Sequence, residues 1–185
     1  PMPEWKSFSM GDGAAPLTDS PIQHLSQTAT PAPGMEADEA AEKWGTDVSE
    51  VSIERIENVV AGDGLSHGSN EFVVITDVEG ARIQIHREPA NSPWIQIEAR
   101  MELDAERAAQ LDMPRLNELT NKWNVDHLQP TTFALETEDG KVVILATRFF
   151  AGKGMSDRQI HAMVRRGLGV TLQALNEMPA LLAHA

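Results

Sequence analysis

The 185-residue chain contains no cysteine, which excludes disulfide bonds, thiol catalysis and thiolate metal sites. No apolar run approaches the roughly 20 residues that a membrane-spanning helix requires, so we expect no membrane contact. The first residues do not combine a basic segment with an apolar stretch, so no secretory signal is expected. These absences favour a cytoplasmic protein.

Basic residues are scarce as well. Lys and Arg number 15 against 28 Asp and Glu, a formal net charge of −13. An acidic surface repels phosphate backbones, so we expect no binding to nucleic acid. Solubility alone would explain such a surface, and steering toward a basic partner is the alternative.

Residues 1–34 lack apolar periodicity and are rich in Pro, Gly, Ser, Thr and Ala. A stretch with so little to bury is predicted to be a disordered or loosely attached tail. Trp5 and Phe8 would be its anchors if the tail docks on a partner. Residues 35–185 are predicted to form a single domain.

Within residues 35–185, helical and extended patterns alternate. Period-two alternation places one face of a strand on a core and the other toward water or a partner. Helical patterns cover 35–44, about 48–61 with an N-cap in 45–47, 105–111, about 113–124, and a last helix opened by residue 156. Strands are predicted at 71–77, 81–87, 94–103, 131–138 and 141–150.

Short-range signals mark several of these boundaries. Glu79-Gly80 and Asp139-Gly140 predict hairpin turns. Ser156 and Gln159 have the spacing of a capping box at the start of the last helix. Helices separated by antiparallel hairpins therefore indicate an α+β fold rather than a doubly wound parallel sheet.

The last helix contains three residues that disfavour helix. Gly167 and Gly169 cost about 1 kcal/mol each relative to alanine. A close approach of the helix to the sheet would compensate for them. Pro179 is expected to end or kink the helix.

The chain resembles the YbjN-like family of bacterial sensory transduction regulators over about residues 48–182. The helix end that carries the resemblance reads Asn117-Glu118-Leu119-Thr120-Asn121-Lys122-Trp123-Asn124. Members of the family show a similar Asn-x-x-Trp-Asn-like end. They also show a hairpin with a short acidic-Gly turn and a small Gly-containing loop before a long C-terminal helix. Here that loop is Gly152–Ser156.

The resemblance implies a fold similar to that of type III secretion chaperones. This fold is a five-stranded antiparallel sheet with helices in the order α-β-β-β-α-β-β-α, and it usually forms a homodimer. The resemblance also implies a regulatory or chaperone-like protein without enzymatic activity, cofactor or catalytic residues.

The residues themselves predict no chemical site. No two of the six histidines have the spacing of a metal site; they are His24, His67, His86, His127, His161 and His184. Gly152–Ser156 has Gly, Lys and Ser before a helix, but its Lys precedes the second Gly, unlike a Walker loop. We interpret it as a strand-to-helix turn.

The best candidate for a binding surface is the polar side of the strand predicted at 94–103, formed by Trp94, Gln96, Glu98 and Arg100. An aromatic residue on a polar sheet face often marks an interface, although Trp94 could equally pack under a helix. We expect a protein or peptide partner on this face or in the groove beside the first helix. The alternative is a scaffold or regulatory module in which the N-terminal tail makes the partner contact.

Overall fold

A computed structural model describes residues 42–183 of the chain. Residues 42–44 are helical, and the helices that follow are α1 (Ile53–Gly62), α2 (Ala105–Gln110), α3 (Met113–Asp126) and α4 (Asp157–Ala183). The strands are β1 (His67–Ser69), β2 (Val73–Val78), β3 (Ala81–His86), β4 (Trp94–Glu102), β5 (Thr131–Thr137) and β6 (Gly140–Phe150). The tail predicted at 1–34, with Trp5 and Phe8, lies outside the described residues, so the domain boundary stays a prediction.

The strands form one antiparallel sheet in the order β1-β2-β3-β4-β6-β5. This confirms the predicted α+β class and the open antiparallel sheet. The sheet has six strands in the described residues, whereas five were predicted. The additional strand, β1, reads His-Gly-Ser and is exposed along its length. It carries no apolar alternation by which its sequence could have been assigned to a strand.

One face of the sheet is covered by helices, and we call it the covered face. Ile95 and Ile97 of β4 project onto it and are fully buried. One apolar cluster joins this part of the sheet to α1 and the first half of α4. A second cluster joins β5 and β6 to α3 and the second half of α4. Helix α4 therefore spans both halves of the core.

The start of α1 differs from the prediction. The N-cap is Ser52, whose hydroxyl accepts from the Arg55 amide, and not a residue of 45–47. The Arg55 guanidinium also donates to the carbonyls of Ser49 and Glu50. Ser49 pairs with Met155 in an isolated bridge. These contacts keep the chain before Ser52 out of the helix.

Several local predictions are confirmed. Glu79 and Gly80 both have positive φ, 52° and 82°, as a type I′ hairpin turn requires. The Ser156 amide donates to Gln159 Oε1 at 2.8 Å, and the Gln159 amide donates to Ser156 Oγ at 3.2 Å. These reciprocal bonds form the predicted capping box.

Pro179 does not end α4, which continues to Ala183. The residues on either side explain the continuation, because Met178 is fully buried and Leu182 is only 4% exposed. Both belong to the cluster shared with α3. The apolar surface that they bury offsets the hydrogen bond lost at the proline.

Asn124 closes one end of the outer edge of β5. Its side chain donates to the Thr132 carbonyl at 2.8 Å and accepts from the Thr132 amide at 2.7 Å. The side-chain amide thus replaces a neighbouring strand at that position of the sheet edge. These two bonds tie the end of α3 to β5.

The two helix glycines of α4 differ in their surroundings. A Cβ built on Gly167 would lie 2.2 Å from Ile97 Cδ1 and 3.1 Å from Ile97 Cβ. A Cβ built on Gly169 would meet nothing within 4 Å. The predicted close approach to the sheet is therefore found at Gly167 alone.

We predict effects of opposite sign on stability for the two alanine substitutions. Gly167→Ala overpacks the core against Ile97 and should lower the free energy of unfolding by about 1–3 kcal/mol. Gly169→Ala should raise it by about 0.5–1 kcal/mol, because alanine reduces the entropy of the unfolded chain. Urea unfolding followed by circular dichroism measures both. Equal effects of the two substitutions would contradict the contact between α4 and β4.

Candidate functional site

The opposite face of the sheet, which we call the open face, carries the predicted site residues. Trp94, Gln96, Glu98 and Arg100 alternate with the buried residues of β4 and all project onto this face. In the register of β4 and β6, Trp94 pairs with Phe150, Gln96 with Arg148, and Glu98 with Ala146. In both core clusters, the described helices pack against the covered face of the sheet and not against the open face.

Large apolar side chains are exposed on the open face. Trp94 is 51% exposed and Phe150 53%, and their rings meet edge to face with centroids 5.3 Å apart. Trp94 therefore does not pack under a described helix. On β5, Phe133 is 36% exposed and Leu135 45%. The open face thus carries one aromatic pair at the β4–β6 end and a second apolar group on its edge strand.

Two grooves lie on this face, with one residue common to both. The first has a volume of about 400 Å³ and the second about 510 Å³. Leu128, Phe133 and Ala146 contribute to the first groove, and Arg148 borders it. The second groove lies against Trp94 and is also bordered by Arg148. Arg148 therefore separates the two grooves.

A polar network crosses β3, β4 and β6 beneath the second groove. Arg148 Nε donates to Gln96 Oε1 at 2.6 Å, and Gln96 Nε2 donates to Glu98 Oε2 at 2.5 Å. His86 Nε2 lies 3.2 Å from the same carboxylate oxygen. Arg100 Nε lies 3.5 Å from the other oxygen, Glu98 Oε1. Three residues thus hold the Glu98 carboxylate in place.

Glu98 is the member of the network with the most unusual environment, since it is only 5% exposed. The hydrogen bond from His86 is the main influence that lowers the pKa of Glu98 below the usual 4.5. Burial opposes this effect, while Gln96 and the charges of His86 and Arg100 add to it. The carboxylate is therefore stabilised in its ionised form.

This lowered pKa predicts an acid-sensitive contribution to stability. Because the pKa is lower in the folded chain than in the unfolded chain, the contribution is present above about pH 4.5 and is lost as the pH falls through the folded pKa. Glu98→Gln should lower the free energy of unfolding by on the order of 1 kcal/mol at pH 7. The difference from wild type should shrink at pH 3.

Urea unfolding at pH 7, 5, 4 and 3 measures this dependence. Glu102 is a matched control, because it lies on the same strand and face but is exposed. Glu102→Gln should leave the pH profile unchanged. A constant difference between Glu98→Gln and wild type from pH 7 to pH 3 would refute the role of Glu98.

The histidines that the fold brings near acidic groups lie in separate places. His161 Nε2 is 3.0 Å from both carboxylate oxygens of Asp63, and its ring stacks on Trp44 with centroids 4.5 Å apart. His86, by contrast, pairs with Glu98 on the open face. The two histidines therefore do not share a site. No group of three His, Asp or Glu within residues 42–183 could hold a metal ion.

The loop Gly152–Ser156 is a strand-to-helix turn, as we interpreted it. Gly154 has φ +82°, and a Cβ there would lie 2.6 Å from the Ser49 carbonyl oxygen. The glycine thus permits a close backbone approach. Among the described helices, none is long and apolar enough to cross a bilayer.

Sequence reasoning missed Phe150, Arg148, Phe133 and Leu135 as members of the open face. The alternation within β4 reveals its own outward residues, but the partners on β6 depend on a strand pairing across about 50 residues. The hairpin signal at Asp139-Gly140 could have placed Phe133 and Leu135 on one face. It could not have placed them on the same sheet face as Trp94, because that depends on the pairing of β4 with β6.

The sequence of residues 52–179 matches the model of the YbjN family, described as "Putative bacterial sensory transduction regulator". Among solved structures, the crystal structure of YbjN from E. coli, "a putative transcription regulator", aligns with a TM-score of 0.56 at 13% identity. That alignment covers 71% of this chain and 97% of that one. An uncharacterized protein from Methanothermobacter thermautotrophicus aligns with a TM-score of 0.49 at 16% identity, covering 70% and 98%. No curated protein matches the chain significantly.

Proposed function

This chain belongs to the YbjN family, and we propose that it is a non-enzymatic regulatory protein that holds a peptide segment of a protein partner on its open face. The observation that carries the proposal is the exposure of Trp94, Phe150, Phe133 and Leu135 on that face. Clusters of exposed aromatic and aliphatic residues are typical of interaction surfaces. The family assignment supports the regulatory role.

The grooves define how a segment would bind. An extended chain lying on the open face would place one apolar side chain in the groove at Trp94, whose ring contacts Phe150. It would place another in the groove at Phe133. Rigid aromatic side chains supply contact area with little loss of entropy, so they are suitable anchors. Gln96, Glu98 and Arg100 form the polar floor and rim of the same surface.

The polar network supports a binding role over catalysis. Both oxygens of the Glu98 carboxylate are engaged, one by Gln96 and His86 and the other by Arg100. A carboxylate held in this way is a poor general base because its lone pairs are occupied and its pKa is lowered. The network instead fixes the side chains on which a partner would rest.

We also propose that the chain is a cytoplasmic homodimer of the type III secretion chaperone-like kind that does not bind nucleic acid. The net charge of −13 supports the last point. Light scattering on the full chain should give about twice its 20.2 kDa mass. A chain starting at residue 35 should also be dimeric. A monomer in both cases would remove the homodimer from the proposal.

The alternative is that residues 1–34 make the partner contact, with the folded part as a scaffold. Trp5 and Phe8 are the residues that favour it, since they are the Trp and Phe side chains of this Pro-rich segment. The two functions differ in which part of the chain binding requires.

A random dodecapeptide library displayed on phage separates the two functions. It is selected on the immobilised full chain and, in parallel, on residues 35–185. We expect the same peptides to be enriched on both. Enrichment on the full chain alone would favour the tail, and enrichment on neither would overturn the proposed peptide-binding function.

A further inference from the structure

Arg148 differs from the other arginines of the open face because it has no acidic partner in the described part of the chain. Arg82 Nε lies 3.3 Å from Asp77 Oδ1, and Arg100 Nε lies 3.5 Å from Glu98 Oε1. Arg148 is exposed, and its Nε donates to the neutral side chain of Gln96. The ion pairs among residues 42–183 do not include Arg148. Glu88 borders the second groove but forms no ion pair with Arg148.

The position of Arg148 determines which ligand residue its charge would contact. The guanidinium lies where the two grooves meet, so a segment that occupies both grooves must pass over it. A carboxylate is the side chain that best matches a guanidinium, through charge-assisted and often bidentate hydrogen bonds. A basic or apolar residue at this point would leave the charge without a partner.

The spacing along β6 sets the spacing in the ligand. Ala146, Arg148 and Phe150 are successive residues on the open face, so they lie about 6.8 Å apart along the strand. An extended peptide that runs along β6 presents every second side chain to the sheet at the same interval. Its apolar residues therefore lie four positions apart, with one residue midway between them facing Arg148.

We infer that the partner of this face is an extended peptide segment with an acidic residue centred between two apolar side chains, in the pattern apolar-x-Asp/Glu-x-apolar. This inference rests on the proposed peptide-binding function and specifies its ligand. The carboxylate binds the Arg148 guanidinium. One apolar side chain lies against Trp94 and Phe150, and the other lies in the groove at Phe133 and Ala146.

The overall acidity of the chain does not oppose this pairing. At physiological ionic strength, exposed charges are screened beyond about 8 Å, so the groups near Arg148 dominate. Glu98 is the acid of the polar network, and its carboxylate is already engaged by His86 and Arg100. The chain's negative charge should lower the rate of encounter with an acidic peptide more than it changes the contact itself.

The test uses the phage-displayed dodecapeptide library on the full chain and on two full-length variants. Arg148→Glu reverses the charge between the grooves. Arg82→Glu is the matched control, because Arg82 lies on the same sheet face but borders neither groove. Arg148→Gln, which removes the charge without adding a negative one, serves if Arg148→Glu does not fold by circular dichroism.

Wild type and Arg82→Glu should enrich peptides with the acidic residue midway between two apolar residues. Arg148→Glu should lose that preference and favour Lys or Arg at the central position. In a synthetic copy of the leading wild-type peptide, replacing the central acid by its amide should weaken binding to wild type by on the order of tenfold. The same replacement should change binding to Arg148→Gln by less than about twofold.

The possible failures are distinguishable. Apolar peptides that lack a central acid, or that are enriched equally on wild type and Arg148→Glu, would overturn the inference and leave the proposed function intact. Peptides with a central basic residue on wild type would also overturn it. The absence of any enriched peptide would overturn the proposed function, and the inference with it.

Discussion

Replacing Trp123 by alanine is expected to lower the free energy of unfolding by about 3–5 kcal/mol. The indole is 4% exposed and belongs to the cluster of α3, α4, β5 and β6. Its Nε1 donates to the Pro130 carbonyl at 3.1 Å, and its ring stacks on His127 with centroids 3.7 Å apart. The substitution removes a large buried surface, leaves a cavity, and leaves a buried carbonyl without its donor.

Urea unfolding of the full chain measures this loss. Val125→Ala is the matched control, because Val125 lies two residues further along α3 and is 85% exposed. It should change stability by less than about 0.5 kcal/mol. Trp123→Phe should lie between the two, since it keeps an aromatic ring and loses the hydrogen bond. A loss below 1 kcal/mol for Trp123→Ala would show that the ring does not hold α3 to the sheet.

Trp123 also shows which parts of the fold the sequence predicts well. Its position on an apolar stripe at helical spacing assigns it to a core without knowledge of the partner strands. Turns at Glu79-Gly80 and the capping box at Ser156 are equally local, because each depends on residues within four positions. Such features depend on the backbone preferences of a few neighbouring residues, so they can be predicted from the sequence alone.

Contacts distant in sequence explain where the structure departs from the local expectations at Ser52 and Pro179. The N-cap was expected within 45–47, but Arg55 donates to the Met155 carbonyl and to Asp157, and the residues before Ser52 stay outside α1. Pro179 remains within a helix because Met178 and Leu182 bury their side chains against α3 and the sheet. Tertiary packing overrode the local preference in both places.

The candidate site shows the same division. Alternation in β4 placed Trp94, Gln96, Glu98 and Arg100 on one face, but it could not separate exposed from buried members. Glu98 is 5% exposed and Trp94 51%, a difference created by His86 on one neighbouring strand and by the residues of β6 on the other. The period-two alternation of a strand shows which residues share a face of the sheet. How deeply each of them is buried depends on which strands lie beside it.

The double substitution Trp94→Ala and Phe150→Ala is expected to weaken binding of a peptide selected on wild type by about 30-fold or more. Truncating aromatic anchors at the centre of an interface commonly costs at least about 2 kcal/mol. Stability should change much less, because both rings are about half exposed and neither belongs to a core cluster. Fluorescence anisotropy with the labelled peptide measures affinity, and urea unfolding measures stability.

The comparison between affinity and stability decides what the aromatic pair does. Trp94 and Phe150 contact each other edge to face, so they could serve only to join the ends of β4 and β6. In that case the double variant would lose stability and keep its affinity for the peptide. Val125→Ala, exposed but outside both grooves, should keep both. Loss of affinity with unchanged stability would mean that the pair is exposed for its partner, because an aromatic pair needed only for folding would have gained more by being buried.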